Sequence, residues 1–176
     1  CPGRMSRAAK AHPEMRISHH SWRGRSGEVV CSVYHTPDGR WRAPFFEAPL
    51  AEAHGEEELL LGAQMPRTRF WDLTRELARA DACHFHFDHS GRHFVSDTDG
   101  YHYGQHSYVY VGTHVEPAGG DPFVRVQYLL LPRTSWKTQS AHPHPYLSPD
   151  GRFAVFQSDF FGRPQIFLAF DYEYPS

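Results

Sequence analysis

The chain has 176 residues, with 18 Lys and Arg against 20 Asp and Glu and a formal net charge of -2. That length suits one domain with a real core, and the near-neutral balance argues against a general nucleic-acid binder, which is usually basic. Mean hydropathy is -0.60, and no apolar run approaches the roughly 20 residues of a membrane span.

Residues 1–15 carry basic residues and two prolines without periodicity, and read as an irregular N-terminal segment. The chain opens on Cys1 rather than Met, with no signal-peptide pattern, and so reads as processed or truncated; Cys1-Pro2-Gly3-Arg4 suits a mature lipoprotein poorly. Glu28–His35 is expected to be a strand that ends in a Pro37-Asp38-Gly39 turn. Residues 43–56, with Pro44, Pro49 and Gly55, read as a loop or insertion. Glu56–Ala80 is the one stretch that invites a helix, although Leu59–Leu61 and Phe70–Leu73 equally read as strands. His84–Asp88, His93–Ser96, Tyr108–Thr113 and Val124–Leu131 follow as strands, then Tyr146–Leu147, Phe153–Ser158 and Gln165–Phe170. Turns fall at Ser90-Gly91-Arg92, Asp99-Gly100, Pro149-Asp150-Gly151 and Phe161-Gly162. With 15% aromatics, 14 Gly and 14 Pro, the pattern is all-β. Cys1, Cys31 and Cys83 make no disulfide framework, so a reducing, cytoplasmic compartment is expected.

An internal repeat organises the second half. His84 and His144 each stand seven residues before a Gly-Arg pair, Gly91-Arg92 and Gly151-Arg152. Each pair opens an aromatic strand that closes on Ser-Asp, Ser96-Asp97 and Ser158-Asp159, and the two glycines are 60 residues apart. A unit of antiparallel strands repeated at that period reads as propeller blades. A fainter copy begins at His20, seven residues before Gly27, or at its neighbour His19. The expected organisation is an N-terminal segment 1–15 and about three blades near 16–79, 80–136 and 137–176. Closed propellers have four to eight blades, so the chain reads as the C-terminal part of a larger one.

The segment His142 to Arg152, with Phe156-Gln157-Ser158-Asp159 and Pro164-Gln165-Ile166-Phe167, resembles a blade of the WD40-like, TolB-type propellers. More specifically, Gln139-Ser140-Ala141-His142-Pro143-His144 resembles the metal-ligand segment of oligogalacturonate lyases, the seven-bladed lyases of pectin breakdown. Cys83-His84-Phe85 is similar to the family's further ligand histidine in a His-Phe context. Ser18-His19-His20-Ser21-Trp22 is similar to its catalytic histidine in a Gly-His-x-x-Trp context, with Ser in place of Gly. The resemblance covers most of the chain apart from about residues 40–75. It implies His84, Gln139, His142 and His144 as ligands of a divalent metal, Mn2+ foremost, and His19 or His20 as the base. It also implies a uronate oligosaccharide substrate cleaved by β-elimination, with no nucleic-acid or membrane partner. The family grips carboxylates with arginine; Arg133 and Arg16 are the local candidates.

The repeat gives a physical reason beside the resemblance. Equivalent positions at the start of successive inner strands converge near a propeller axis, which brings His84 toward His144. His142, two residues from His144, is expected on the same side of an extended strand. Three imidazoles and an amide oxygen suit Mn, Fe, Ni, Cu or Zn, and the absence of a thiolate disfavours a soft structural zinc site. His86, His89, His93, His102, His106 and His114 lack that registry and read as strand or loop surface, with room for one or two to reach the channel. Asp97, Asp150 and Asp159 read as turn residues bonding their own backbone. Trp22, Trp41, Trp71 and Trp136 read as blade packing. The competing readings are a non-catalytic propeller binding a protein or peptide, a lyase or isomerase for another sugar acid, and the propeller of a serine peptidase, for which no Gly-x-Ser-x-Gly elbow is present.

Overall fold

The structure, a computed structural model, describes residues 15–26, 28–35, 40–47, 69–71, 83–98, 106–119 and 123–176. Among these are eleven β-strands, a 3-10 turn at Gln139–Ala141 and no α-helix. Strands β1 (Met15–Trp22), β2 (Glu28–His35), β3 (Arg40–Glu47) and β4 (Arg69–Trp71) form one sheet in chain order. Strands β5 (Phe85–Phe87), β6 (His93–Asp97), β7 (Val109–Val115) and β8 (Phe123–Leu130) form a second, and β9 (Tyr146–Leu147), β10 (Ala154–Ser158) and β11 (Gln165–Ala169) a third. Every pairing is antiparallel.

The sheets stack face to face as propeller blades, because the middle one is apolar on both sides. Neighbouring residues of a strand point to opposite faces. Phe94 accordingly joins Phe85, Phe87, Tyr110, Val124, Val126 and Val30 of β2 in one core, while Val95 joins Val109, Val111, Leu147 and Ala154 in the other. The first strands converge: β5 contacts both β1 and β9. Between the second and third sheets, the Leu147 amide donates to Nδ1 of His86 at 3.1 Å.

The repeated hairpin turns also lock together. The Arg25 amide donates to the His89 carbonyl at 3.3 Å, and the His89 amide donates to the Pro149 carbonyl at 3.0 Å. Gly91 and Gly151 hold equivalent left-handed conformations, φ +69° and +72°. Gly24, at φ +55°, lies so close to the second turn that a Cβ there would stand 2.7 Å from Gly91 Cα and 2.8 Å from the Asp88 carbonyl oxygen. Glycine is required for both reasons.

One expectation changes, and one open alternative is decided. Residues 43–47 are not loop but the second half of β3. Pro44 is accommodated because the β2–β3 register passes from Val30↔Phe45 to Val33↔Arg42, with Ala43 and Pro44 facing β4 as Ala43↔Trp71 and Pro44↔Phe70. A proline, having no N–H, fits where one ladder is interrupted. Within Glu56–Ala80, which invites a helix but equally strands at Leu59–Leu61 and Phe70–Leu73, the strand reading holds at Arg69–Trp71, which is β4; 56–68 and 72–80 lie outside the described residues. So do residues 1–14 of the N-terminal segment, Gly27 and the turns at 36–39 and 99–100, whereas Met15 opens β1.

Candidate metal centre

His84 stands immediately before β5, and its place is fixed by the next rung of the β5–β6 hairpin beyond Phe85↔Ser96. Asp97, at 0% exposure, accepts the His84 main-chain N–H at 2.8 Å and its Nδ1–H at 2.8 and 3.0 Å. A carboxylate can only accept here, so the His84 proton sits on Nδ1. The lone pair of Nε2 therefore faces away from Asp97, and that atom is buried without a hydrogen-bond partner. A buried polar atom with no partner is rare and asks for a ligand.

The third sheet supplies the facing donors. The 3-10 turn Gln139–Ala141 leads into His142, and His144 follows at φ +40°. The approach is thus not an extended strand, and the two rings meet, with centroids 5.6 Å apart, because the chain turns left-handed at His144. Such a φ is strained for a residue with a Cβ and recurs at functional positions. Gln139 Nε2 lies 2.9 Å from His144 Nε2, and Gln157 Nε2 lies 3.1 Å from its Nδ1. A neutral imidazole has one N–H and one lone pair, so only one of these amides donates while the other must present its oxygen. With Gln157 accepting from Nδ1–H, Nε2 keeps its lone pair on the side of Gln139 and His84. The ring centroids of His84 and His144 are 4.2 Å apart, and those of His84 and His142 6.0 Å. Trp136 walls the group: it is buried, its Nε1–H donates to Ser107 Oγ at 2.7 Å, and its ring lies 4.5 Å from that of His142.

The repeat reappears in this detail. Asp97 follows His84 by 13 residues, and Gln157 follows His144 by 13. The backbone agrees, since the Cys83 amide donates to the Asp97 carbonyl and the Gln157 amide to the Pro143 carbonyl. The structural counterpart of Asp97 is therefore Gln157, not Asp159 of the second Ser-Asp pair. Asp97 is not a turn residue bonding its own backbone. Asp159 takes the Thr134 hydroxyl and the Ser135 amide instead. Asp150 does bond its own turn, through Ser148 Oγ and the Arg152 amide. Asp97 and Gln157 are the residues that sequence reasoning missed. The legible clue was the hairpin rung that puts residue 97 opposite residue 84.

His19 enters from the first sheet. The β1–β2 register runs Ser18↔Ser32 and then His20↔Cys31, which leaves His19 as the extra residue of a β-bulge. A bulge bends the strand and re-aims a side chain. The His19 ring reaches within 4.3 Å of the His84 centroid, and its Nδ1 lies 3.8 Å from Cys83 Sγ, whereas His20 is exposed. Burial first, then the neighbouring His84 ring, lower the His19 pKa to about 4 against a smaller opposing pull from Asp97. Burial, then His84, likewise lower that of His144. Both shifts favour the neutral ring, the form in which imidazole ligates a metal. Arg133, by contrast, is exposed with its guanidinium 5.5 Å over the Phe160 ring. The Arg16 side chain, like those of Trp41 and Trp71, lies outside the described residues; Trp22 is exposed. His114 is buried in contact with Arg23 and Glu116, and His93 stacks on Tyr174, so neither is bare strand surface.

Two groups of three potential ligand atoms result, His84–His142–His144 and His19–Cys83–His84, each with its atoms within 4.8 Å of one another. The orphaned Nε2 of His84, the Asp97 behind it and the facing imidazole rings fit a metal ion. Fold and site together define a β-propeller segment with a buried His/Cys cluster able to hold a metal.

Solved structures share this fold at low identity. One is an oligogalacturonate lyase from Vibrio parahaemolyticus, 19% identical over 92% of this chain and 37% of that one, with a TM-score of 0.53. Another comes from a nidogen/laminin complex, 10% identical over 90% of this chain and 45% of that one, with a TM-score of 0.50. Both are propeller-containing chains, of which this one spans less than half, and the likeness is one of fold. No family model matches the sequence, and no curated protein does.

Proposed function

We propose that the protein is a metal-dependent polysaccharide lyase, cleaving short oligogalacturonates by β-elimination to unsaturated uronates in cytoplasmic carbohydrate metabolism. The observation that carries this reading is the grouping of His84, His142 and His144 within 4.8 Å, with Gln139 2.9 Å from His144. The fold it shares with an oligogalacturonate lyase supports it. In this reading His84, His142, His144 and Gln139 hold a divalent ion, Mn2+ foremost by the resemblance to oligogalacturonate lyases, within a donor set that suits Mn, Fe, Ni, Cu or Zn.

A bound ion supplies positive charge against the carboxylate of the uronate, where charge develops as the adjacent C5 loses its proton. Asp97 and Gln157 fix the tautomers of His84 and His144. His19, held neutral by burial, is the base: its lone pair takes the C5 proton, the C5–H electron pair forms the C4=C5 double bond, and the C4–O pair leaves with the glycosidic oxygen, which is then protonated. His20, exposed one residue on, is the alternative base.

Chelation should abolish the ultraviolet-absorbing unsaturated product, and Mn2+ should restore it. His144→Ala should lose metal and activity together. His19→Ala should keep the metal and lose about 10²–10⁴-fold in rate. The competing reading, a propeller that binds a protein or peptide, draws on the exposed Phe160, Phe161, Ile166, Leu168 and Phe170. It prevails if no uronate is cleaved and neither variant changes anything measured on one.

A further inference from the structure

We propose that His19, Cys83 and His84 form a second metal site, for a thiophilic divalent ion of the zinc class, which competes with the three-histidine site for one nitrogen. The competition rests on the proposed function only in taking the three-histidine group as the working site. The second site itself stands on its own geometry.

That geometry is an S, N, N set. Cys83 Sγ lies 3.8 Å from His19 Nδ1, the His19 and His84 centroids are 4.3 Å apart, and the three ligand atoms lie within 4.8 Å of one another. None of the three is held by chance of an exposed loop. The Cys83 amide is tied to the Asp97 carbonyl at 2.9 Å, His84 is tied to Asp97 through its amide and Nδ1, and His19 is thrust inward by the β1 bulge. Cys83 is 5% exposed and His84 8%, so a thiolate formed there would be shielded from bulk water, and an ion would compensate its charge. Binding would release the thiol proton to solvent.

The competition follows from His84. Its Nδ1 is committed to Asp97, so both groups of three must use Nε2, which has a single lone pair. One ion can have it, not two. The donor sets differ in what they exclude: the thiolate favours zinc-like ions over Mn2+, whereas three imidazoles with an amide oxygen accept Mn2+ as well as zinc-like ions. A zinc-like ion on the Cys83 side therefore takes a ligand from the three-histidine side, and Cys83 makes metal occupancy of the site depend on the ratio of soft to hard ions.

The test uses the purified, metal-free protein and cobalt as a spectroscopic probe. Co2+ added to the wild type should give a near-ultraviolet thiolate-to-cobalt charge-transfer band. Cys83→Ser should abolish the band while leaving Mn2+ affinity within about twofold, and should weaken Zn2+ binding by at least about tenfold, since loss of even an outer partner costs that much. His142→Ala should keep the band while weakening Mn2+ binding. Should Cys83→Ser fold poorly, His19→Ala gives the same answer by weakening the band's apparent affinity. In a mixture of Zn2+ and Mn2+, the bound total should remain one ion per chain. Absence of the band in the wild type, its persistence in Cys83→Ser, or two ions bound at once overturns the proposal. Absence of Mn2+ binding with the band intact overturns the proposed function and leaves the second site standing.

Discussion

Replacing Asp97 by Asn tests the logic of the centre at its most buried point. Asp97 is fully buried, and its two oxygens accept from the amide and Nδ1–H of His84 at 2.8 to 3.0 Å. Asn keeps the volume and one oxygen for the main-chain N–H. Its NH2 group then faces Nδ1, and two N–H donors cannot point at each other. The His84 proton moves to Nε2, the atom whose lone pair an ion needs, and the negative charge behind the ring is lost. Outer-sphere partners of this kind are worth about 10–100-fold in metal affinity, or about 1.4–2.7 kcal/mol. Calorimetric titration of the metal-free protein with Mn2+ reads this directly. Urea unfolding without metal serves as the control, where losing one charge-assisted bond should cost about 1.5–3 kcal/mol. If Asp97→Asn folds and binds Mn2+ within about threefold of the wild type, His84 does not ligate through Nε2, and the reasoning fails.

Acid should weaken the join between the second and third sheets. His86 accepts the Leu147 N–H, and burial, then His89, lower its pKa below the ordinary 6.5. The unfolded chain then binds more protons, so this contribution is present above pH 6.5 and is lost as pH falls through the lower folded value. Urea midpoints should drop between pH 7 and 5, and drop less in His86→Gln; an unchanged slope in the variant would refute the assignment. Gly24→Ala meets both a left-handed φ and the turn at Gly91, so it should lose about 2 kcal/mol or more by urea unfolding, and a loss under about 0.5 kcal/mol would show that the turns do not pack as described.

Much of the fold was legible because its determinants are local. Alternation along β8 and β10, short aromatic and β-branched runs along β6 and β7, and glycine at the repeated turns mark strands and reversals without knowledge of their partners. The repeat added a second kind of information. Two histidines at one position of successive units must occupy equivalent places, and His84 and His144 do approach each other. Strand β3 was missed because a proline is judged by the ladder it would break, and only the register showed that the ladder is already interrupted there.

The chemistry of the centre was decided by tertiary structure. Nothing in His19-His20 says which ring turns inward, because a bulge is a difference between two strands and belongs to neither sequence alone. Asp97 reads as a turn residue until the hairpin rung sets it behind His84, and Cys83 reads as context until the bulge brings His19 to its sulfur. Sequence fixes which residues share a strand, but the burial that neutralises an imidazole and the single lone pair left on His84 arise only when three sheets converge.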